Sequence, residues 1–355
     1  MQALGAAVGR VLARDTTTPL AKACVASSSS SLLRTALRLR AHDGDERRGA
    51  AVRLSKEDET MLRSALRDVL AEPDAVVVRQ VTASAPAQVL ERLARVDAVL
   101  PLEPPSAAAM RARLAPESTR ACFALTHRAL PDVPLVAVQL ARSHGDVFRS
   151  MDHLFDATET AARRPVDVAS AKTFTFFAIN AFHGAHGLGL GRTLLLNMLE
   201  MLPEDAHCET LSPVPSLLRR RSAAADDRDV NAFRQPPWDD ADDGVRSCAR
   251  HLLLHRRDPV AAFHLANGSY LNHINANASN ADLVMRNSGG VLVNYRYDAA
   301  LLEDNANVFA TGGIVCSPEV AALLPDSDDD YLAETLPSGL VRVQPLDRAF
   351  MAKLG

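Results

Sequence analysis

The chain has 355 residues, 47% hydrophobic and 23% charged, with a formal net charge of −4. That composition can bury a large domain plus a smaller one, and it lacks the clustered basic excess of a nucleic-acid-binding surface. No apolar run approaches a membrane span, and the five cysteines (24, 122, 208, 248 and 316) are scattered with no C-x-x-C pair, which excludes a disulfide scaffold or zinc site and suits a reducing compartment.

Residues 1–41 carry Arg10, Arg14, Lys22, Arg34, Arg38 and Arg40 against one acid, Asp15, and a serine run at 27–31. Leu4, Val8, Val11 and Leu12 share one helical face. This is the composition of an organellar transit peptide, mitochondrial in the first instance, with a cytoplasmic or peroxisomal protein as the alternative. A disordered Ala/Ser/Arg tail reads from the same residues. Residues 42–53 read as a charged linker, and 42–72 as a short helical region whose helix opens at Ser55-Lys-Glu-Asp-Glu59, an N-cap followed by acids. Met61, Leu62, Leu66, Val69 and Leu70 form its apolar face.

From residue 73 onward one large domain is expected. Val76–Val78 reads as a strand, and Val89, Leu90, Leu93 and Val96 mark a helix that ends before Pro101. Residues 101–118 read as a proline-rich loop with a short helix. Ala121–His127 and Pro134–Ala141 read as strands separated by a turn at Leu130-Pro-Asp-Val-Pro134. Lys172–Asn180 is a third strand, and it leads through His183–Gly191 into a helix over 192–202. Residues 220–246 read as a polar, mobile stretch, 247–255 as a helix, 290–297 as a strand, and Asp326–Asp330 as a solvated loop. No internal repeat is present.

Gly184, Gly187, Gly189 and Gly191 thus lie between a strand and a helix. Glycines there let backbone approach a phosphate, and the free amides of a first helical turn attract its charge. The spacing fails the Rossmann fingerprint, and Gly191-Arg-Thr193 is not a Walker G-K-[ST]. What remains is x-x-G-x-G after a strand, which resembles the pyrophosphate loop of the GCN5-related N-acetyltransferase (GNAT) fold, the loop that binds coenzyme A there; a flexible structural loop is the other reading. Two further residues stand out. Ser212 lies in Thr210-Leu-Ser-Pro-Val-Pro215, where Pro213 keeps it out of helical geometry. His264 lies in Val260-Ala-Ala-Phe-His-Leu265, where a protonatable ring among apolar side chains is either a satisfied core histidine or a catalytic one.

Taken in order, the glycine loop, T-L-S-P-V-P, D-P-V-A-x-F-H-L-x-N-G and V-N-Y-R-Y resemble the malonyl-CoA decarboxylase family. The resemblance runs from about Leu66 to about Ser317, and its most specific part joins Asp258–Gly268 to Asn294-Tyr-Arg-Tyr297. It implies an α/β domain of GNAT-like fold with a mixed sheet over 73–355, behind a truncated helical segment. It also implies conversion of malonyl-CoA to acetyl-CoA and CO2 without metal or organic cofactor. Ser212 and His264 would then be the catalytic pair, with Tyr297 in support. His186, Gly187, Leu188, Gly189, Leu190, Gly191 and Arg192 would bind acyl-CoA, which would be the only partner apart from a homo-oligomer weakened by the short amino-terminal region.

The sequence departs from the family pattern at Ala276, Ala278 and Ser279, where relatives carry a tryptophan and an alanine-aspartate pair. It also departs at Gly189, where a polar residue is common. Two other activities therefore stay open: a GNAT-type acyltransferase, whose loop consensus Gly189 fits, and a non-catalytic acyl-CoA-binding relative.

Overall fold

The computed structural model describes residues 1–14, 28–41, 54–96, 104–115, 119–154, 170–182, 184–218, 240–256, 258–325 and 330–346. The readings made for 42–53, most of 220–246 and 326–329 fall outside these residues. Three helices open the chain: α1 (Gln2–Arg14), α2 (Ser29–Ala41) and α3 (Lys56–Leu70). They pack on one another, and Leu4, Val8, Leu33, Leu37, Leu62 and Leu66 share a core with sheet residues Phe174 and Phe176. Here the outcome differs from a tail or detached leader. The stripe Leu4, Val8, Val11 and Leu12 is amphipathic as read, but its apolar side is buried in the body of the protein. Ser55 caps α3 by accepting from the Asp58 amide, and Glu57, Asp58 and Glu59 face the positive end of the helix dipole.

An eleven-stranded mixed sheet follows, in the order β1-β2-β3-β4-β5-β8-β7-β9-β11-β10, with β6 beside β8. β1 (Val76–Val81), α4 (Ala87–Val96), α5 (Ala107–Arg113), β2 (Arg120–His127), β3 (Leu130–Ser143) and β4 (Thr173–Ala181) build the first half. These strands pair antiparallel. Both faces are covered, by α1–α3 with the later helix α6 on one side and by α4 and α5 on the other. Hence β2 is buried along nearly its whole length rather than at alternate residues. The expected turn at 130–134 is not a turn. Arg128 and Ala129 make the reversal, and the His127 ring accepts the Ala129 amide at 3.0 Å. Pro134 sits within β3 where the register with β2 shifts, because proline cannot donate to the ladder.

The direction changes at β4. Next come α6 (Leu190–Met201), β5 (His207–Thr210) and the two-residue β6 (Ser212–Pro213). β5 runs parallel to β4 and antiparallel to the later β8. α7 (Ala241–Arg250) extends into a π-helical turn, His251–His255, so that helix starts earlier than its sequence pattern indicated. Then follow α8 (Pro259–Ala266), β7 (Tyr270–Asn275), α9 (Asp282–Ser288), β8 (Leu292–Tyr297), α10 (Leu302–Ala310), β9 (Ile314–Cys316), α11 (Pro318–Ala321), β10 (Tyr331–Thr335) and β11 (Val341–Pro345). This is the mixed α/β sheet that the GNAT-like resemblance implied. Among the described residues no helix is long and apolar enough to cross a membrane.

If α1 and α2 belong to the core, then Leu37→Ala leaves a cavity between α2 and the sheet. It should lower stability by about 2–5 kcal/mol, the usual range for a buried leucine, read as the midpoint of denaturant unfolding. An unchanged midpoint would make these helices peripheral.

Candidate active site

β4 ends at Ala181 beside the start of α6, and the chain between them turns through two left-handed glycines, Gly187 (φ 71°) and Gly189 (φ 81°). A Cβ on either would meet no atom within 4 Å, so the space above this backbone is open. Gly189 is the N-cap of α6 and supplies no side-chain acceptor. Among the described residues the amides of Gly187, Gly189, Leu190 and Gly191 have no acceptor in the protein. Four such donors at the positive end of a twelve-residue helix make an anion site. Gly191 differs from its neighbours. A Cβ there would come within 3.2 Å of the Phe263 ring, so this glycine lets α6 lie against the helix that carries His264. Arg192 makes the same junction, donating to Ala266 O at 3.1 Å and Asn267 Oδ1 at 2.9 Å.

α8 begins with Asp258 as N-cap and Pro259 at its first position. Its last turn places the His264 ring inward, 4% exposed. The ring stacks on Tyr295 at 4.8 Å and meets the edges of Phe263 and Tyr297. A polar ring in such a place needs partners on both nitrogens, and it has them. His264 Nδ1 lies 2.7 Å from the Tyr297 hydroxyl, and Nε2 lies 3.3 Å from Ser212 Oγ. The 52-position separation of Ser212 and His264 is closed by β6 pairing with β8, the strand that ends in Tyr297.

Burial holds the imidazole pKa far below its ordinary 6.5, at about 3, so the free protein carries it neutral. Burial also raises the Tyr297 phenol, which therefore stays a donor. The partners then select one tautomer: Tyr297 O–H donates to Nδ1, and Nε2–H donates to Ser212 Oγ. The serine hydroxyl in turn donates to Thr210 Oγ1 at 2.9 Å.

Several supporting residues were not singled out from sequence. Thr210 Oγ1 also accepts the Tyr295 amide at 3.2 Å. The Asn294 amide group donates to Thr210 O at 2.8 Å, and its Oδ1 accepts from Asn275 at 2.7 Å, so two of the many asparagines lock β5, β7 and β8 together. Asp258 accepts the Val260 and Ala261 amides with Oδ1, and the Ser216 amide and hydroxyl with Oδ2. One buried carboxylate thus joins the segment bearing Ser212 to the helix bearing His264. Sequence contained Asp-Pro, a helix-start signal, but nothing that paired Asp258 with Ser216.

The glycine loop and the Ser212–His264 pair line one cavity of about 920 Å³. His186, Gly187, Gly189 and Arg192 share it with Pro213 and Phe263. Of the expected site residues Leu188 and Tyr297 do not line the cavity: Leu188 packs into the core, and Tyr297 is buried behind His264, where its hydroxyl meets Nδ1. Among the described residues no three His, Cys, Asp or Glu side chains are grouped so as to hold a metal ion.

The fold matches crystal structures of malonyl-CoA decarboxylase from Agrobacterium vitis (TM-score 0.64, 24% identity, 90% of this chain and 87% of that one) and from Rhodopseudomonas palustris (0.59, 24%, 90% and 75%). Mitochondrial malonyl-CoA decarboxylases are similar in sequence: 24% identity over 277 residues in Anser anser anser and 25% over 270 in Mus musculus, covering 65% and 62% of this chain. The chain spans about half the length of these relatives, 53% of each. The family model described as the malonyl-CoA decarboxylase C-terminal domain matches residues 75–240 and 247–334, well over half of the sequence, and the chain therefore belongs to the malonyl-CoA decarboxylase family.

Proposed function

We propose that this protein decarboxylates malonyl-CoA to acetyl-CoA, a carboxy-lyase reaction of fatty-acid metabolism. The observation that carries the proposal is the Tyr297–His264–Ser212 chain of hydrogen bonds, whose His264 and Ser212 line the same cavity as a loop of unpaired amides. The amides at 187–191 suit the coenzyme A diphosphate. The acyl arm then reaches toward Ser212, past the apolar walls formed by Phe176, Phe177 and Phe263.

The chemistry follows from charge. Loss of CO2 breaks the bond between the carboxylate and the α-carbon, and its electron pair passes into the thioester as an enolate. The thioester is its own electron sink, so this reading uses no metal or organic cofactor. Donors placed where that charge develops lower the barrier. An anionic carboxylate entering an apolar cavity raises the pKa of the ring beside it, so the His264 imidazolium forms with substrate bound. The added proton comes from solvent and sits on Nδ1. Ser212 O–H then protonates the α-carbon and recovers the proton on Nε2. This leaves the ring neutral as the Nδ1–H tautomer, and proton exchange with solvent returns it to the Nε2–H form. Acyl transfer to an amine needs no such buried pair, and this favours decarboxylation.

The names of the animal relatives and the Arg- and Ser-rich first 41 residues support a mitochondrial address.

Purified protein incubated with malonyl-CoA should release CO2 and acetyl-CoA. Ser212→Ala and His264→Asn should each lower kcat by about 10²–10⁴-fold while the protein stays folded and binds coenzyme A. Full activity in either variant removes the pair from the mechanism. Absence of turnover in the wild type, with acyl-CoA still bound, would favour a binding protein.

The neutral ring also has a stability signature. An unfolded histidine titrates near its ordinary 6.5 and the folded one near 3, so between those values the folded state holds fewer protons. The sign is fixed: this contribution is complete above about 6.5 and is lost as the pH falls toward 3. His264→Asn should therefore flatten part of the decline in unfolding free energy between pH 7 and pH 5. Parallel curves would mean that the ring is not held neutral.

A further inference from the structure

The amino-terminal helices reach the glycine loop through two arginines. Arg40, in the last turn of α2, has a side chain only 6% exposed. Its guanidinium is braced by Glu59 of α3, with Nε 3.1 Å from each carboxylate oxygen and Nη2 2.8 Å from Oε1. The remaining edge faces the loop: Nη1 donates to Gly184 O, and Nη2 donates to His186 O at 2.8 Å. Arg67, near the end of α3, donates from Nη2 to Gly187 O at 2.7 Å. Three carbonyls within four residues are therefore held by cations from outside the sheet.

A trans peptide points its C=O and N–H in opposite directions. A carbonyl pulled toward the helices thus turns the following amide away from them. For the peptides after His186 and Gly187 this constrains the segment whose free amides at 187, 189, 190 and 191 face the cavity. Those two left-handed glycines would otherwise make the loop the most permissive backbone in the site. Arginine suits the task because its planar fork can satisfy a carboxylate on one side and carbonyls on the other, while Glu59 offsets the buried charge.

We infer that Arg40 and Arg67 are positioning residues for acyl-CoA. They hold the diphosphate-binding loop in its receptive form and make α2 and α3 part of the substrate site. Residues 1–41, whose composition reads as a leader, thereby contribute a residue the site depends on. The inference rests on the acyl-CoA reading of the loop, and it assigns no chemical step to either arginine.

The test uses the full chain, acetyl-CoA as an unreactive probe in calorimetry, and malonyl-CoA turnover. Arg40→Ala and Arg67→Ala should each weaken acetyl-CoA binding and raise KM by about tenfold, the loss expected for charge-assisted hydrogen bonds. Both should leave kcat at saturation within about twofold, since neither side chain touches Ser212 or His264. Arg40→Lys, which keeps the charge but not the fork, should recover only part of the affinity. Arg10→Ala, which breaks an exposed ion pair with Glu57 between α1 and α3, should bind as wild type does. Should Arg40→Ala fail to fold, Arg67→Ala decides, because Arg67 lies on the surface. Unchanged acetyl-CoA affinity in folded Arg67→Ala, or a fall in kcat with KM unaltered, overturns the inference. Failure of the wild type to bind acetyl-CoA overturns the acyl-CoA reading itself and this inference with it.

Discussion

The structure turns on a buried imidazole. His264 sits between Phe263, Tyr295 and Tyr297, where an unpaired ring nitrogen would cost as much as a lost hydrogen bond plus its desolvation. Both nitrogens must be answered, and the two partners come from places remote in sequence: the end of β8 and the two-residue strand β6. Pairing of β6 with β8 is what brings these partners to one ring. Meeting that requirement also sets the protonation state, so one burial event accounts for both geometry and charge.

The polar groups nearby make sense as supports for this arrangement. Asp258 is nearly fully buried, which a carboxylate tolerates only when its oxygens are well occupied. Four donors occupy them, two from the first turn of α8 and two from Ser216. Asn294 and Asn275 perform the corresponding task between strands. Such networks stabilise a fold modestly but select one geometry strongly, because every alternative leaves a buried donor or acceptor unsatisfied. In the glycine loop, which lines the same cavity, the logic is reversed. The loop amides at 187–191 are left without protein acceptors, while the carbonyls beside them are held from behind by Arg40 and Arg67.

The sequence by itself determined a good deal. Strand, glycine loop and helix were legible at 172–202 because local rules act there: apolar β-formers, then glycines, then helical periodicity. The N-cap at Ser55 and the amphipathic stripe of α1 were legible for the same reason. Ser212, His264 and Tyr297 stood out through the motifs around them, and the fold places all three together.

What only the tertiary structure decided concerns partners separated along the chain. β7 did not look like a strand, since its asparagines and histidine satisfy no alternation rule; Asn275 is accommodated in a buried strand because its amide donates across to Asn294 Oδ1 and Leu292 O of β8. The turn before β3 was misplaced because prolines usually mark reversals, whereas here Pro134 falls where the ladder is already out of register. The first 41 residues looked like a leader because composition records charge and amphipathicity but not what the apolar face will meet. In the folded protein that face meets α3 and the sheet, and Arg40 meets the loop. A sequence states which groups need partners; distances fixed by strand pairing and helix packing decide which partners they find.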